Sequence, residues 1–572
     1  MKAFGIGLLL VVFPIILWGQ EYTQTVRGTI VDADTRKPLI GAVVALCQGD
    51  DCEYTIMADE FSSFRMEDIP VGRYDVRAQS IGYNDYFLAN LEVTSGKEIV
   101  LQIELTQSFQ DRDTIVITAG ERKDRPNNDM TSVSARLFTV EETQRYAGSV
   151  GDPARMASNF AGVSSSSDAR NDIIIRGNSP SGLLWRLEGI DIPSPNHFSA
   201  QGTTGGPVSI LNNNLLRNSD FLTGAWPAEY GNSLSGVFDL KMRSGNNEKY
   251  EYTAQIGFNG MEAMAEGPFF MKKRGSFLIA YRYSVLELIE MMGFNLGAGG
   301  RPRYQDLSFK FVLPNPKFGQ IELFGVGGRS RIEILDSKRD TGDFSYGLLQ
   351  NRDVRYMSRM GVVGLSHVRL LSSSAYIRTI LSISYDGFGI DLDSLNPVRR
   401  PLDLYNEDAG YIRQTLHSIY SWKPNANNTF KTGLIFTRLS YKNIQEYFLG
   451  EQQKWLTLSN AKGSTYLAQP YIQWRHSFSP KLTLNAGLHG QYFFFNKTRS
   501  LEPRAGIRYA LNTRQSLSFG YGLHGQIQAL PLYFFEKATM DSATQVPVAY
   551  TRTNKDLGMS NSHHFIAGYD HL

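Results

Sequence analysis

Cysteine is nearly absent, with two residues in 572. A fold built on a disulfide framework is thereby excluded, and at most one bridge can form. A surplus of either charge is also missing: 58 Lys and Arg stand against 56 Asp and Glu, for a net charge of +2. Nucleic-acid binding draws on a basic surplus that displaces counterions, so this balance gives no reason to expect it. Long apolar runs are missing past Gln20, where nothing approaches the roughly 20 residues of a membrane-spanning helix. Metal-ligand spacing is lacking as well, because none of the nine histidines lies in HExxH or HxxE. His563 and His564 are adjacent, which on a strand sends them to opposite faces. What is present is a chain of 42% hydrophobic and 20% charged residues, which excludes wholesale disorder.

At the start, Lys2 precedes an apolar run over 4–18, followed by Gly19-Gln20-Glu21. This is the layout of a secretory signal peptide over residues 1–19, with cleavage after Gly19. The alternative is an uncleaved anchor helix, for which the run is short. No cysteine lies near the cleavage point to carry a lipid. The mature chain is expected to be exported, and any membrane crossing must use β-strands.

Residues 25–105 read as short alternating strands separated by turn residues, the pattern of a compact β-sandwich. Within it, VRGTIVDADTRKPLIGAVVAL (26–46) and IPVGRYDVRAQSIGY (69–83) resemble the carboxypeptidase-regulatory-like module, an Ig-like sandwich, here assigned 22–107. Ser62 and Ser63 precede Phe64 where that family usually has Gly. Cys47 and Cys52 flank a polar loop between strand-like segments; in an oxidising periplasm they are expected to form a local disulfide, with free thiols as the alternative. A zinc site is not indicated, since no second ligand pair accompanies them.

A linker, 108–129, contains the β-prone segment Asp113, Thr114, Ile115, Val116, Ile117, Thr118 and Ala119. Such a segment can add as an edge strand to another protein's sheet, or it can be the last strand of the sandwich. From 130 to 245 the composition changes to a small α+β domain. Short helices are expected over 140–146 and 152–157, the second N-capped by Asp152 with Pro153 at its first position. NDIIIRGNSPSGLLWRLEGIDIP (171–193) resembles the plug-domain hairpin of TonB-dependent outer-membrane receptors, in which an IRG strand precedes a DG strand. AEYGNSLSGVFDLKMRSG (228–245) resembles the end of that plug, and DTIVITAG (113–120) stands where its TonB box lies. Glu188-Gly189 replaces the usual Asp-Gly, and Gly236 stands alone where a pair is common. Three motifs in family order make the match specific.

Beyond 246 the chain alternates polar and apolar residues, as in 481–489, 504–509 and 516–523. Period 2 fits either a half-buried soluble sheet or a membrane barrel with a wet lumen. Aromatic runs at 492–495 and 532–535, read as interfacial girdles, favour the barrel. So do short turns such as 271–275 and 314–319, which alternate with longer connections at 336–353 and 391–409. An arginine on the lipid face costs roughly 2–4 kcal/mol at midplane, so Arg504 and Arg508 are expected to face the lumen. Gly520, Gly522 and Gly525 match GxGxxG, but no helix pattern follows, and small residues in a crowded lumen account for them better. Roughly a dozen period-2 segments occur from 250 onward, against the 22 strands of the family's plugged barrel. The barrel, 246–572, is therefore expected to be incomplete at its C-terminal side.

The fold class expected is mainly β: a sandwich, an α+β plug and a transmembrane antiparallel barrel. The resemblance implies energised uptake of a scarce nutrient (siderophore, metal chelate, oligosaccharide or peptide) across the outer membrane. It implies no covalent chemistry and no cofactor, with the sandwich and the TonB box in the periplasm. Its implied partners are TonB with the inner-membrane energising complex, outer-membrane lipid, the nutrient and a surface lipoprotein. Its plug-motif residues are Ile175, Arg176, Gly177, Glu188, Gly189, Tyr230, Gly231, Ser235 and Gly236. Asn196, His197, Phe198 and Gln201, in a polar loop at the expected outer apex, are candidates for ligand contact, with ordinary loop solvation as the alternative. A secreted adhesive protein of several β-domains is the competing reading from another class.

Overall fold

The computed structural model describes residues 22–571 except 50, 108–125, 139, 147, 150, 168–169, 200–203, 258–259, 270–274, 285–301, 316, 339–349, 513 and 543–546. The segment 1–19, the 113–119 segment and Gln201 therefore lie outside the described residues, as does most of the turn 271–275.

The N-terminal unit is a sandwich of two sheets. One holds Thr23–Asp32 between Ser63–Pro70 and Ile99–Leu105; the other runs Asp51–Met57, Val43–Gln48, Gly72–Gln79, Tyr86–Val93. Alternate residues of facing strands (Val26, Ile30, Val44, Leu46, Val76, Ile103) are buried between the sheets and form its core. Thr23–Asp32 and Ile99–Leu105 pair in parallel, so closely that a Cβ at Gly28 would lie 2.1 Å from the Leu101 carbonyl oxygen. Ser62 takes the left-handed backbone (φ 57°) that glycine adopts at less cost. Asp59 offsets this by accepting from the Phe61 and Ser63 amides at 2.9 and 2.7 Å. A Cys47–Cys52 disulfide links Val43–Gln48 to Asp51–Met57.

The plug is built on a five-stranded sheet in the order Ile190–Ile192, Leu183–Leu187, Gly236–Met242, Leu216–Leu222, Ala135–Phe138. Trp185 stacks on Phe238 at 4.8 Å between ring centroids, inside a core with Phe138, Ile175 and Phe221. Helix Pro153–Ala157 starts as its sequence dictates, with the Asp152 carboxylate accepting from the Ala154 amide at 2.8 Å.

Fourteen antiparallel strands form the third unit, from Glu251–Gly257 to Ser560–His571, against roughly a dozen expected from alternation. Strand Arg303–Asn315 shows why it wraps the plug: Tyr304, Asp306, Ser308 and Lys310 are buried toward it, while Leu307, Phe309 and Phe311 face outward. Among the described residues no pairing joins the two edge strands. One rim carries tight turns at 373–374, 426–427 and 480–481. The other carries 336–351 and the long connection 527–559.

Two expectations need correction. The stretch 391–409 is not a loop: strands Ala375–Leu395 and Pro401–Asn425 run through it and leave only a turn at 396–400. A hairpin projecting into water needs no apolar face, so the alternation signal disappears there. The run 532–535 is not a girdle. Tyr533 and Phe534 lie on helix Leu530–Phe534, buried against Phe493, Phe495 and Tyr441. Consecutive aromatics on a strand would face both ways, and a short helix turns two of them inward instead.

The sandwich sits against the tight-turn rim through ion pairs. Asp34 meets Lys423 at 2.7 Å, Glu104 meets Arg217 of the plug at 3.1 Å, and Glu98 meets Lys249 at 2.6 Å. Arg27 reaches the Asn247 side chain at 2.7 Å. Burial alone would raise the Glu98 pKa, but hydrogen bonds from Lys249, Arg27 and Asn246 together with the Arg27 charge hold it at about 2. Its ordinary value is 4.5, so the docking it supports is complete above that pH and is lost as pH falls toward about 2. Energy transfer between dyes on the sandwich and on turn 426–427 should stay flat above pH 5 and drop between roughly pH 4 and 2. Glu98→Gln is expected to flatten that drop, and an unchanged profile would reject the assignment.

Candidate functional site

The candidate site is the seat of the plug against the strand wall. The plug hairpin ends at Glu188-Gly189, both at positive φ (51° and 91°). A Cβ at Gly189 would lie 3.0 Å from Ile380 Cδ1, so the tip presses directly on the wall. Glu188 is buried and its carboxylate meets Lys310 at 3.0 Å and Arg378 at 3.3 Å while accepting from the Met242 amide at 2.7 Å. The extra methylene over the usual Asp gives the carboxylate more reach toward the two wall cations.

A second contact surrounds 225–232. Arg504, expected to face the lumen, is buried there and donates to the carbonyl oxygens of Pro227 (2.7 Å) and Tyr230 while pairing with Glu502 at 2.7 Å. Arg508 lies on the same strand face, half-buried. The Ala228 carbonyl is 2.7 Å from His489 Nδ1, and the Glu229 amide donates to Gln473 at 3.2 Å. Gly231 is needed because a Cβ would collide with His489 Nε2 at 2.2 Å. Gly236 is likewise pressed by Ile175, whose Cδ1 would be 2.3 Å from a Cβ. Tyr230 donates to Asp239 at 3.0 Å beneath the Arg186 guanidinium, which lies 4.8 Å from its ring centre. Ser235 is buried, and its amide donates to the Gly182 carbonyl at 3.0 Å. Arg176 (φ 50°) is exposed, donates to Ser134 at 3.0 Å and is followed by Gly177 at φ 79°. Gly520 packs against the plug, where a Cβ would meet Val133 Cγ2 at 2.5 Å.

The chain enters the plug through Asn127 and Asn128, whose backbone amides both donate to the buried Asp220 carboxylate at 2.8 Å. The Asn128 side chain continues to Glu229 at 2.8 Å and Tyr230 at 2.9 Å. Entry segment, plug sheet and wall-contacting loop are thus joined by one polar network.

Of the four residues expected to meet ligand, the three described, Asn196, His197 and Phe198, do not form a solvent-facing group. Asn196 and His197 are each 1% exposed, with Asn196 bonded to Asn171 and Thr204 and His197 2.9 Å from Asp306 on the wall. The Phe198 amide donates to Ser330 at 2.9 Å. A polar loop looks solvated in sequence, but here the plug itself partners Asn196 and the strand wall partners His197 and Phe198, in place of water. Lys310, Arg378, Asp220 and Asn128 carried no motif. Only parity pointed to Lys310, a cation between outward Phe309 and Phe311. Among the described residues no group of three His, Cys, Asp or Glu is arranged to hold a metal ion.

Comparison with known proteins adds the following. Residues 25–106 match the family of carboxypeptidase regulatory-like domains. The chain is 23% identical over 230 residues to the TonB-dependent transporter Oar of Myxococcus xanthus, a match covering 40% of this chain and 21% of that relative. Among solved structures it resembles a mutant of the ferric enterobactin receptor of Pseudomonas aeruginosa, with TM-score 0.54 and 13% identity over 77% of this chain and 69% of that one. It also resembles a siderophore receptor of Acinetobacter baumannii, with TM-score 0.53 and 14% identity over 77% and 68% of the two chains.

Proposed function

We propose that this chain, which has the fold of TonB-dependent receptors behind a carboxypeptidase regulatory-like domain, imports a scarce nutrient across the outer membrane. The observation that carries the reading is the plug's seat: beside the apolar contacts it shares with Phe324, Val326, Val362 and Ile380 of the wall, buried ion pairs and hydrogen bonds hold it there. The polar contacts can be exchanged for water when the plug moves. The nutrient belongs to the class of siderophores, metal chelates, oligosaccharides or peptides. It is captured on the rim opposite the sandwich. TonB pairs with 113–119 as an added edge strand. Force on that strand reaches Asn127 and Asn128 first and draws on Asp220 and Glu229, and so on the loop that Arg504 grips.

Proline at the centre of the added strand removes a ladder donor and fixes φ. Ile115→Pro is therefore expected to abolish energised uptake while leaving binding of nutrient to whole cells unchanged. Retained uptake would reject the TonB assignment. Recovery of the full chain as a soluble periplasmic protein, without heat-modifiable migration, would reject the receptor reading as a whole.

A further inference from the structure

We infer that the N-terminal sandwich is a gate: it closes the periplasmic mouth of the lumen beneath the plug and must leave its seat before nutrient can pass. The wall residues it meets point into the lumen. Ser421 and Lys423 bond to the Asp34 carbonyl oxygen (3.5 Å) and carboxylate, and they share the inward parity of His417 and Ile419 on strand Pro401–Asn425. Glu251 and Glu266 stand directly opposite each other in the ladder, on the parity of Glu262 and Met264, which bond to Asn214 and Arg243 of the plug. The Glu98 amide donates to Glu251 at 2.8 Å, and Lys97 meets Glu266 at 3.6 Å. Six strand steps separate Pro401–Asn425 from Gly260–Phe269, roughly 29 Å of wall at about 4.8 Å per step. A domain of about 80 residues is roughly 30 Å across. The sandwich thus reaches lumen-facing groups on both sides, and Glu104 meets Arg217 of the plug itself.

The seat is built to be left. Every member of the sandwich's buried apolar cluster lies within 26–105, so among the described residues its core does not continue into the plug or the wall. Undocking exposes charged and amide groups, which water solvates, and leaves the apolar core intact. The plug differs, because its apolar core runs on into Phe324, Val326, Val362 and Ile380 of the wall. The latch also lies where a pull arrives. Glu104 and Leu105 end the last strand of the sandwich, and the Leu105 carbonyl accepts from the Ala33 amide at 2.8 Å, one residue before Asp34. Traction on the chain beyond 107 therefore loads the Glu104–Arg217 and Asp34–Lys423 pairs, while the same traction reaches the plug at Asn127. The gate rests on the import reading, in which that traction comes from TonB.

The test holds the sandwich in its seat. The full chain is placed in phosphatidylethanolamine–phosphatidylglycerol liposomes loaded with calcein, and urea is raised until fluorescence of Trp185 and Trp226 reports an unseated plug. D34C/K423C and K97C/E266C, combined in one chain and joined by a short bismethanethiosulfonate reagent, tie both sides of the sandwich to the wall. Wild type and the unlinked quadruple variant are expected to release the dye. The linked variant is expected to release it at least tenfold more slowly, and cleavage of the links by dithiothreitol to restore release. Equal release with and without the links would overturn the gate, since the tryptophan signal shows that the plug has moved. If wild type retains the dye although its plug is unseated, the lumen is no through-path and the import reading falls together with the gate. If the quadruple variant loses heat-modifiable migration, the two pairs linked singly carry the same test, each expected to slow release about threefold.

Discussion

Glu188→Ala is expected to lower the urea midpoint of plug unfolding by an amount corresponding to about 3 kcal/mol. Removing one partner of a buried charge cluster leaves the others desolvated without compensation, which typically costs roughly 3–5 kcal/mol. The lower end applies because each cation keeps something. Lys310 retains the Met242 carbonyl at 3.1 Å and Glu322 at 3.6 Å, and Arg378 retains Ser366 at 3.0 Å. The Met242 amide loses its acceptor outright. Glu188→Gln keeps an acceptor for that amide and should recover part of the loss. Fluorescence of the buried plug residues Trp185 and Trp226 reports the transition. An unchanged midpoint for Glu188→Ala would remove the hairpin tip from the forces that seat the plug.

The second large effect is expected at the boundary between sandwich and barrel. Lys423→Met strands the Asp34 carboxylate, whose side chain is 2% exposed beside a lysine that is 4% exposed. If the sandwich stayed docked, the cost would again be roughly 3–5 kcal/mol. It has a cheaper alternative, which is to leave the rim and let Asp34 rehydrate. The expected result is therefore release of the sandwich rather than unfolding. Hydrogen exchange should accelerate in the turn 32–37 and at 246–249 while the sandwich strands keep their protection. The double variant Asp34→Asn with Lys423→Met removes both charges and should restore slow exchange. Fast exchange in the double variant, or slow exchange in the single one, would show that the pair does not hold the docked state.

Much of the architecture was legible because its signals are local. Alternation over 504–509 placed Arg504 in the lumen, since a charge facing hydrocarbon is costly and one facing a wet interior is not. Asp152-Pro153 announced a helix start that the plug contains. The glycines at 189, 231 and 236 mark close approaches, though only the packed molecule shows that Ile380, His489 and Ile175 stand opposite them. The errors arose where burial depended on distant chain. His197 read as part of an open loop because Asp306, more than a hundred positions away, was not visible as its partner. The aromatics at 533–534 read as lipid-facing because a girdle and a lumen-filling helix have the same composition.

The sequence by itself determined that this is a β protein of three successive kinds of segment, since a two-residue period, turn residues and apolar run length are properties of neighbours in the chain. Which charges meet was decided only by the tertiary structure. Glu188 with Lys310 and Arg378, Asp34 with Lys423, and Asp220 with the amides of Asn127 and Asn128 are joined across large sequence separations. A buried ion pair depends on two side chains arriving at one desolvated point, and no local pattern records that arrival.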